Sequence, residues 1–432
     1  MNDVKTVSDR LEALLREKGV SLYEHSEAQT EKRELNTEKA DFTLYRTIFS
    51  GSVSVSVIMD GKKGSASGND LTEDGLKKVV EDAITGALSS MPDEANAIAE
   101  KQEPETFHAG PWDADMPRFY TCLTTLFDTI RQEYPQVNLL QAIADHTRMH
   151  RIYRNSSGTC FEQFDAAYHV GLEMSGSDGE KNTGIDYAGI SLHELDTPLM
   201  ERGSIRAHLE ATEKSLHAVA LPGKFEGTVI FTPDCLGSFL DMLASNYLTG
   251  SVIMEGTSQW LNRLDEKVAN EKISIALKAE DPRIVELSPI TGDGYRAENV
   301  TIMEKGVLKS FLLGLYAARK TGRTVTRNSG SALVMEAGDT PLAQMIASVK
   351  KGLIVGGFSG GHPGANGEFS GVAKNSFLIE DGKILGAVTE TMINGNLEKV
   401  FQDVVALSSE QICDGNTVLP YMASKGIVIS GK

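Results

Sequence analysis

Apolar residues in the N-terminal half of the chain follow two periods. Repeats of three and four residues predict amphipathic helices, and alternation with polar residues predicts half-buried strands. Residues 91–116 are rich in Pro, Glu and Asp and follow neither period, which indicates a linker. The predicted elements of this half are helices at 4–15, 76–88, 117–134 and 198–220, strands at 42–49 and 52–59, and a hairpin at 146–175.

The C-terminal half alternates short apolar strands with glycine turns. Glu304-Lys305-Gly306 and Asp381-Gly382 each separate two such strands and predict hairpins. One helix, which begins near Pro341, interrupts the strands. Hairpins with segregated helices favour an α+β fold over a doubly wound parallel sheet.

The sequence pattern changes near Leu221, from long helices and strands to short strands with glycine turns, and this change predicts a domain boundary. A chain of 432 residues is longer than one simple core ordinarily accommodates. We expect an N-terminal α/β-mixed domain and a C-terminal hairpin-rich β domain with a few packed helices. The predicted bounds are 1–221 for the first domain, with subdomains of about 1–90 and 117–220, and 222–432 for the second.

Charge and composition narrow the class of function. The formal net charge of −18 disfavours a nucleic-acid partner, which needs clustered Lys and Arg. No apolar run approaches the roughly 18 residues that span a bilayer, and the N-terminus lacks the apolar core of a secretory signal. The four cysteines are far apart and form no CxxC pair, which is typical of reduced thiols. We therefore expect a cytoplasmic protein without a membrane partner.

The segment from Val229 to Gly250 has the framework of a metal-site helix. A short apolar strand, Val229–Phe231, runs into Thr232-Pro233-Asp234. These three residues are typical of an N-cap, a first-turn proline and an acid that complements the helix dipole. Apolar residues then recur at helical spacing, so one face of the helix is predicted to pack on a core.

This segment resembles the TldD/PmbA family (peptidase family U62), metalloprotease subunits also labelled modulators of DNA gyrase. Active TldD-type members follow the lead P-x-x-x-G-x-x-L with H-E-x-x-x-H, whose two histidines bind zinc. Here the lead is Pro233, Gly237 and Leu240, and the motif positions are residues 241–246, D-M-L-A-S-N. Both histidines and the glutamate are absent, so the chain resembles the TldE/PmbA branch.

The resemblance covers most of the C-terminal half and is weaker in the N-terminal half. Several dispersed segments in the family's order form a specific signal. They are Asp293-Gly294, Asn299, Gly306, Leu308 and Phe311 of a hairpin pattern, then Tyr316–Arg319, Asn366–Ser370 and Glu390–Leu397.

The resemblance also identifies which functional positions have changed. The third zinc ligand of active relatives is a cysteine just before a glycine pair, a position that corresponds here to Val355. Asp241, Asn246 and Val355 would then occupy the ligand positions, and Met242 the general-base position. Zinc needs N or S donors, and methionine cannot act as a base. We expect no catalytic residue, metal or cofactor in this chain, and zinc only in a TldD-type partner.

Helix geometry adds a further expectation. The first and last positions of H-E-x-x-x-H are about 500°, or roughly 140° net, apart around a regular helix, so they share one metal only across a wide turn. With no metal to bind, the helix is expected to stay regular. That would place Ser238, Asp241 and Ser245 on a solvated face and make Asp241 a surface carboxylate.

The stretch Gly356–Gly371 holds seven glycines in sixteen residues. No helix follows it, so a phosphate-binding loop is disfavoured. Two interpretations stay open: a flexible multi-turn loop, or a backbone-lined wall of a peptide cleft, since glycines let a substrate strand approach the main chain. The cleft candidates are Gly356, Gly357, Gly360, Gly361, His362, Asn366 and Glu368.

The resemblance implies a non-catalytic subunit of a TldD/TldE-type zinc metalloprotease complex that acts on unfolded or flexible peptides. Its partner would be a TldD-type zinc subunit in a heterodimer, or a second copy in a homodimer. Two alternatives stay open. The chain could be a self-sufficient metallopeptidase or hydrolase with an atypical site, such as Asp241 with another metal, or a protein-binding regulator of the gyrase-modulator type.

Overall fold

A computed structural model describes residues 3–285, 288–328, 330 and 332–431 of the chain. Within these residues the chain forms two β-sheets with helices packed on them, which confirms the predicted α+β class. No helix of these ranges is long and apolar enough to cross a membrane.

The helices and strands are numbered here in chain order. The helices are α1 (Val4–Glu17), α2 (Glu73–Ser89), α3 (Met116–Glu133), α4 (Ile205–Ser215), α5 (Pro233–Leu243), α6 (Gly250–Met254), α7 (Leu315–Thr321), α8 (Leu342–Ala347) and α9 (Leu397–Gln402). The N-terminal strands are β1 (Leu22–Glu38), β2 (Asp41–Met59), β3 (Lys62–Gly68), β4 (Glu105–Ala109), β5 (Val137–Asn155), β6 (Cys160–Gly176) and β7 (Asp186–Leu192). The C-terminal strands are β8 (Val219–Ala220), β9 (Lys224–Phe231), β10 (Ile275–Leu277), β11 (Val300–Glu304), β12 (Val307–Leu308), β13 (Leu333–Met335), β14 (Lys351–Gly360), β15 (Glu368–Glu380), β16 (Lys383–Thr389), β17 (Met392–Asn396), β18 (Val404–Cys413) and β19 (Thr417–Ser430).

The N-terminal sheet has the order β3-β2-β1-β5-β6-β4, and β7 pairs with β6. Helices α1 and α2 pack on one apolar cluster of this sheet, and α3 and α4 on another. The two strands predicted at 42–49 and 52–59 are one strand, β2, and its partner β1 was not predicted. Charged and polar residues fill the middle of β1 between the two clusters, so its sequence lacks a clear alternation.

The predicted linker, residues 91–116, is neither free nor without structure. It contains β4, which pairs in parallel with β6. The residues before β4 contact the C-terminal part of the chain: Asp93 accepts a hydrogen bond from Lys320 Nζ at 2.6 Å, and Gln102 Nε2 donates to the Gly294 carbonyl at 2.9 Å. The segment therefore joins the two sheets. The predicted helix at 198–220 is also shorter, because only α4 and a 3₁₀ turn at Leu199–Glu201 form there.

The C-terminal sheet has the order β12-β11-β10-β13-β19-β9-β14-β15-β16-β8. Strand β17 pairs with both β15 and β19, so β19, β9, β14, β15 and β17 form a closed ring. The largest apolar core combines α5 and α9 with one face of these strands. Helix α8 covers the opposite face, which we call the α8 face, over Ile230 and Ile379.

Candidate functional site

Helix α5 begins as the sequence predicts. The Thr232 side chain accepts a hydrogen bond from the Cys235 backbone N–H at 3.3 Å, and Pro233 occupies the first turn. One face of the helix is buried, and its Phe239 ring packs against Phe231 and Phe369 with centroids 4.6 and 5.2 Å apart. The cap and the apolar face together hold α5 on the strands of the ring.

The expectation that this helix stays regular is wrong. Residues Ala244–Leu248 form a π-helical turn, in which the Thr249 N–H donates to the Ala244 carbonyl at 3.1 Å. Tyr247 is fully buried in this turn and stacks on Trp260 at 4.5 Å. The wide turn that a metal-binding helix requires therefore forms here in a sequence without the metal ligands, held by packing of Tyr247.

Asp241, at the first ligand position, lies at the surface, whereas Met242, at the base position, lies in the apolar core. Ser238, Asp241 and Ser245 are exposed, as predicted. Asp241 lines a cavity of about 270 Å³ beside Asp414, and partial burial raises the pKa of its carboxyl group. Met242 is 7% exposed and belongs to the large apolar core.

Val355 lies on β14, between Phe231 of β9 and Ser376 of β15. Its side chain is fully buried in the same apolar core as Met242. An isopropyl group and a core thioether offer no ligand set for zinc. Among the described residues, no three His, Cys, Asp or Glu side chains lie close enough to hold a metal ion.

Asn246, at the second histidine position, anchors the glycine-rich segment. Its Nδ2 donates to the Gly364 carbonyl at 2.9 Å. From the other side, Asn396 Nδ2 donates to the Asn366 carbonyl at 2.8 Å and to Glu368 Oε1 at 3.2 Å. Asn366 and Glu368, which were predicted to face a cleft, therefore take part in holding their own turn.

Most of the glycine-rich segment is strand. Gly356, Gly357 and Gly360 lie in β14, so the interpretation as a multi-turn loop applies only to residues 361–367. On the side away from β15, β9 pairs with β14 only as far as Val355. Across the described ranges, no strand pairs with residues 357–360 on that side, and we call these residues the β14 edge.

The glycines of this segment differ in what requires them. At Gly367 φ is +80°, and a Cβ would lie 2.4 Å from the Tyr247 hydroxyl oxygen; at Gly360 a Cβ would lie 2.6 Å from the Phe358 ring. At Gly357 the nearest atom would be 3.7 Å away, and at Gly361 no atom would lie within 4 Å. Close packing therefore requires glycine at positions 360 and 367. A Cβ at position 357 would make only an ordinary contact, and open space lies beside Gly361. His362 is exposed at the tip of the same turn.

One charged group near α5 was not found from the sequence. His208 on α4 donates from Nδ1 to Asp186 at 2.8 Å, and its Nε2 lies 3.6 Å from Asp234 in the first turn of α5. Burial opposes the charged ring, but the two carboxylates raise the pKa of His208 to about 10. His208 is therefore protonated at neutral pH and joins the two parts of the chain. Sequence spacing gives no signal for this contact, because the three residues are far apart along the chain.

Comparison with known proteins gives matches along most of the chain. Residues 223–431 match the profile described as the PmbA/TldA metallopeptidase C-terminal domain, and residues 28–87 match PmbA/TldA metallopeptidase domain 1. The metalloprotease PmbA homolog of Haemophilus influenzae is 25% identical, over 83% of this chain and 81% of the relative. Metalloprotease PmbA of Escherichia coli O157:H7 is also 25% identical, over 87% of this chain and 86% of its own.

Two solved structures share the fold. TldE from Thermococcus kodakarensis superposes with a TM-score of 0.84 and 20% identity, covering 98% of this chain and 100% of the other. A candidate modulator of DNA gyrase from Bacteroides thetaiotaomicron superposes with a TM-score of 0.86 and 22% identity, covering 100% of both chains.

Proposed function

The chain belongs to the PmbA/TldD metallopeptidase family, and from that premise we propose that it is a non-catalytic TldE/PmbA-like subunit of a zinc metalloprotease complex. In this proposal a TldD-type partner supplies the zinc and the hydrolysis. The chain itself contributes surface that binds unfolded or flexible peptides.

The side chains at the motif positions carry this proposal. Met242 and Val355 are buried in an apolar core, and Asn246 is bound to a backbone carbonyl. A catalytic zinc site needs three protein ligands, an open position for water and a base within reach of that water. Only Asp241 offers an ionisable group, and one carboxylate does not make such a site. The fold of the motif is retained while its chemistry is lost, which favours a supporting subunit.

The β14 edge supports the peptide-binding part of the proposal. Unpaired main-chain groups at the edge of a sheet can accept an extended peptide as an additional strand. No close contact lies beside Gly357, and the space beside Gly361 is open, which leaves room for a peptide backbone to approach. Binding through the main chain would be largely independent of peptide sequence, as a complex that acts on unfolded chains requires.

The proposed complex is a heterodimer with the TldD-type subunit, or a homodimer where no such subunit exists. We place it in the cytoplasm, where the four free cysteines would stay reduced. The net charge of −18 argues against a nucleic-acid partner for either arrangement.

Metal analysis and a peptidase assay test the catalytic assignment. The purified chain is measured alone and after mixing with its TldD-type partner, and complex formation is followed by size. We expect zinc and hydrolysis only when the partner is present. Stoichiometric zinc together with hydrolysis by the chain alone would show a self-sufficient peptidase. No complex and no gain on mixing would instead favour the protein-binding regulator.

A matched pair of glycine variants tests the peptide-binding role. Gly357→Val places a branched side chain at the β14 edge, and Gly184→Val introduces the same side chain in open space elsewhere. We expect weaker binding of an unstructured peptide to the first variant only, measured by fluorescence anisotropy. Equal binding by the two variants and the wild type would exclude the β14 edge.

A further inference from the structure

A second site lies between α4 and the α8 face of the C-terminal sheet, where it adjoins Gly356 and the first turn of α5. It is a cavity of about 690 Å³, within the range of small-ligand sites. Strand pairing places Ile354, Phe377 and Ala387 side by side on β14, β15 and β16, where they form its floor. Its walls are also largely apolar: Leu342 and Ile346 from α8, and Ala207 and Ala211 from α4.

The cavity opens at an incompletely paired strand. Strand β8 pairs with β16 only at Val388 and Thr389. In the described part of the chain, no strand pairs with residues 383–387 on that side, and we call them the β16 edge. Ile384 and Leu385 of this edge line the cavity and are 48% and 58% exposed. Lys383 and a β-bulge at Leu385 limit pairing at this edge, as such devices commonly do in proteins. Its two apolar side chains nevertheless stay exposed beside the cavity, which indicates a surface that is used.

Charge around the cavity favours an uncharged occupant. On α4, Lys214 pairs with Glu210 at 2.9 Å. At the far end, His208 lies between the carboxylates of Asp186 and Asp234. Of the charged groups that line the cavity, Glu210 and Asp234 thus offset Lys214 and His208, which leaves the apolar floor as the main feature. An apolar side chain can bury itself there, while the β16 edge offers unpaired main-chain groups to an extended backbone.

We propose that an extended, uncharged apolar peptide segment adds as a strand to the β16 edge and inserts a side chain into this cavity. The inference rests on the proposed role in handling flexible peptides. The contact is distinct from the β14 edge, and it requires neither zinc nor the partner subunit. It would give the chain a second point of attachment for a long unfolded substrate.

Peptide binding to the full chain alone tests the proposal. The probe is a blocked, fluorescent peptide of about seven residues with alternating valine and threonine, long enough to span the edge at ~3.3 Å per residue. Leu385→Lys places a charge on the edge, and Leu88→Lys is the matched control, because Leu88 is also 58% exposed. Both substitutions are made in the Gly357→Val background, so that the probe does not bind at the β14 edge. We expect at least tenfold weaker binding for Leu385→Lys and unchanged binding for Leu88→Lys in that background, with equal unfolding midpoints.

N-methylated probes distinguish strand addition from simple apolar contact. In a strand, alternate N–H groups point to the same neighbour, so methylating one alternate set removes its hydrogen bonds to β16. We expect one set of methyl groups to weaken binding at least tenfold and the other to leave it nearly unchanged. Equal effects of both sets would overturn strand addition.

The remaining outcomes separate this inference from the proposed function. If Gly357→Val weakens binding and Leu385→Lys leaves it unchanged, the second site is overturned and the β14 edge stays in place. Unchanged binding in both variants would overturn both edges as binding surfaces, and no binding by the wild-type chain would contradict the peptide-handling role itself. A wild type that is dimeric by sedimentation, with a monomeric Leu385→Lys variant, would show that a second copy covers the β16 edge and would overturn the proposal.

Discussion

Replacing His208 with glutamine tests the charged contact between α4 and α5. The imidazolium of His208 lies between Asp186 and Asp234, and it is the group that α4 contributes to the contact with α5. Glutamine keeps a polar side chain of similar reach but carries no charge. The variant therefore leaves two carboxylates without their shared cation, which is costly at a largely buried position.

The shift in pKa sets the magnitude. The pKa of His208 rises from 6.5 to about 10, and each unit corresponds to about 1.36 kcal/mol, so the upper bound is roughly 5 kcal/mol. Asp234 is 39% exposed and lies 3.6 Å away, so solvent screening reduces this value. We expect a loss of about 3 kcal/mol in the free energy of unfolding near neutral pH.

The pH dependence provides the decisive measurement. Because the pKa of His208 is raised in the folded state, its stabilisation is complete below about pH 6.5 and is lost as pH rises through about 10. Urea unfolding followed by tryptophan fluorescence should show the difference between wild type and His208→Gln shrinking across this range. His217→Gln is the control, since His217 is exposed on the same cavity. A difference that does not change with pH would refute the assignment of a charged His208.

Three further variants test the segment from α5 to the glycine turn. Asn246→Ala removes the anchor of the turn and should cost about 1 kcal/mol, with faster amide exchange at residues 361–367, whereas Ser245→Ala should change neither. Gly367→Ala should destabilise the chain by more than about 1 kcal/mol in urea unfolding, because its φ is +80° and Tyr247 is too close, whereas Gly361→Ala should be neutral. Met242→Ala should cost about 2 kcal/mol or more through the cavity it leaves, and equal unfolding midpoints would contradict its placement in the core.

The sequence predicted those elements whose apolar pattern is local. The cap and first turn of α5, and the hairpin of β15 and β16, formed as expected, because each depends on a few neighbouring residues. Strand β1 was missed because the middle of a long strand between two cores carries no apolar alternation. The predicted linker contains β4 because pairing with β6 supplies stability that its own composition does not indicate.

Features of the site could be predicted from the sequence only where they depend on one short segment. The exposed face of Ser238, Asp241 and Ser245 follows from helical spacing. The π turn does not, because it depends on burying Tyr247 against Trp260, a contact of two separate segments. The same is true of His208, which meets its carboxylates only after both sheets have assembled.

The position of β19 in the closed ring has a consequence for synthesis of the chain. Strands β9 and β14 leave the ribosome well before β19, yet β19 pairs with β9, β13, β17 and β18. The N-terminal sheet can fold while translation continues, but the apolar face of α5 stays without its full cover until residue 430 has emerged. Nascent chains arrested before β19 should therefore bind chaperones and be degraded rapidly, whereas those arrested beyond it should resist proteases.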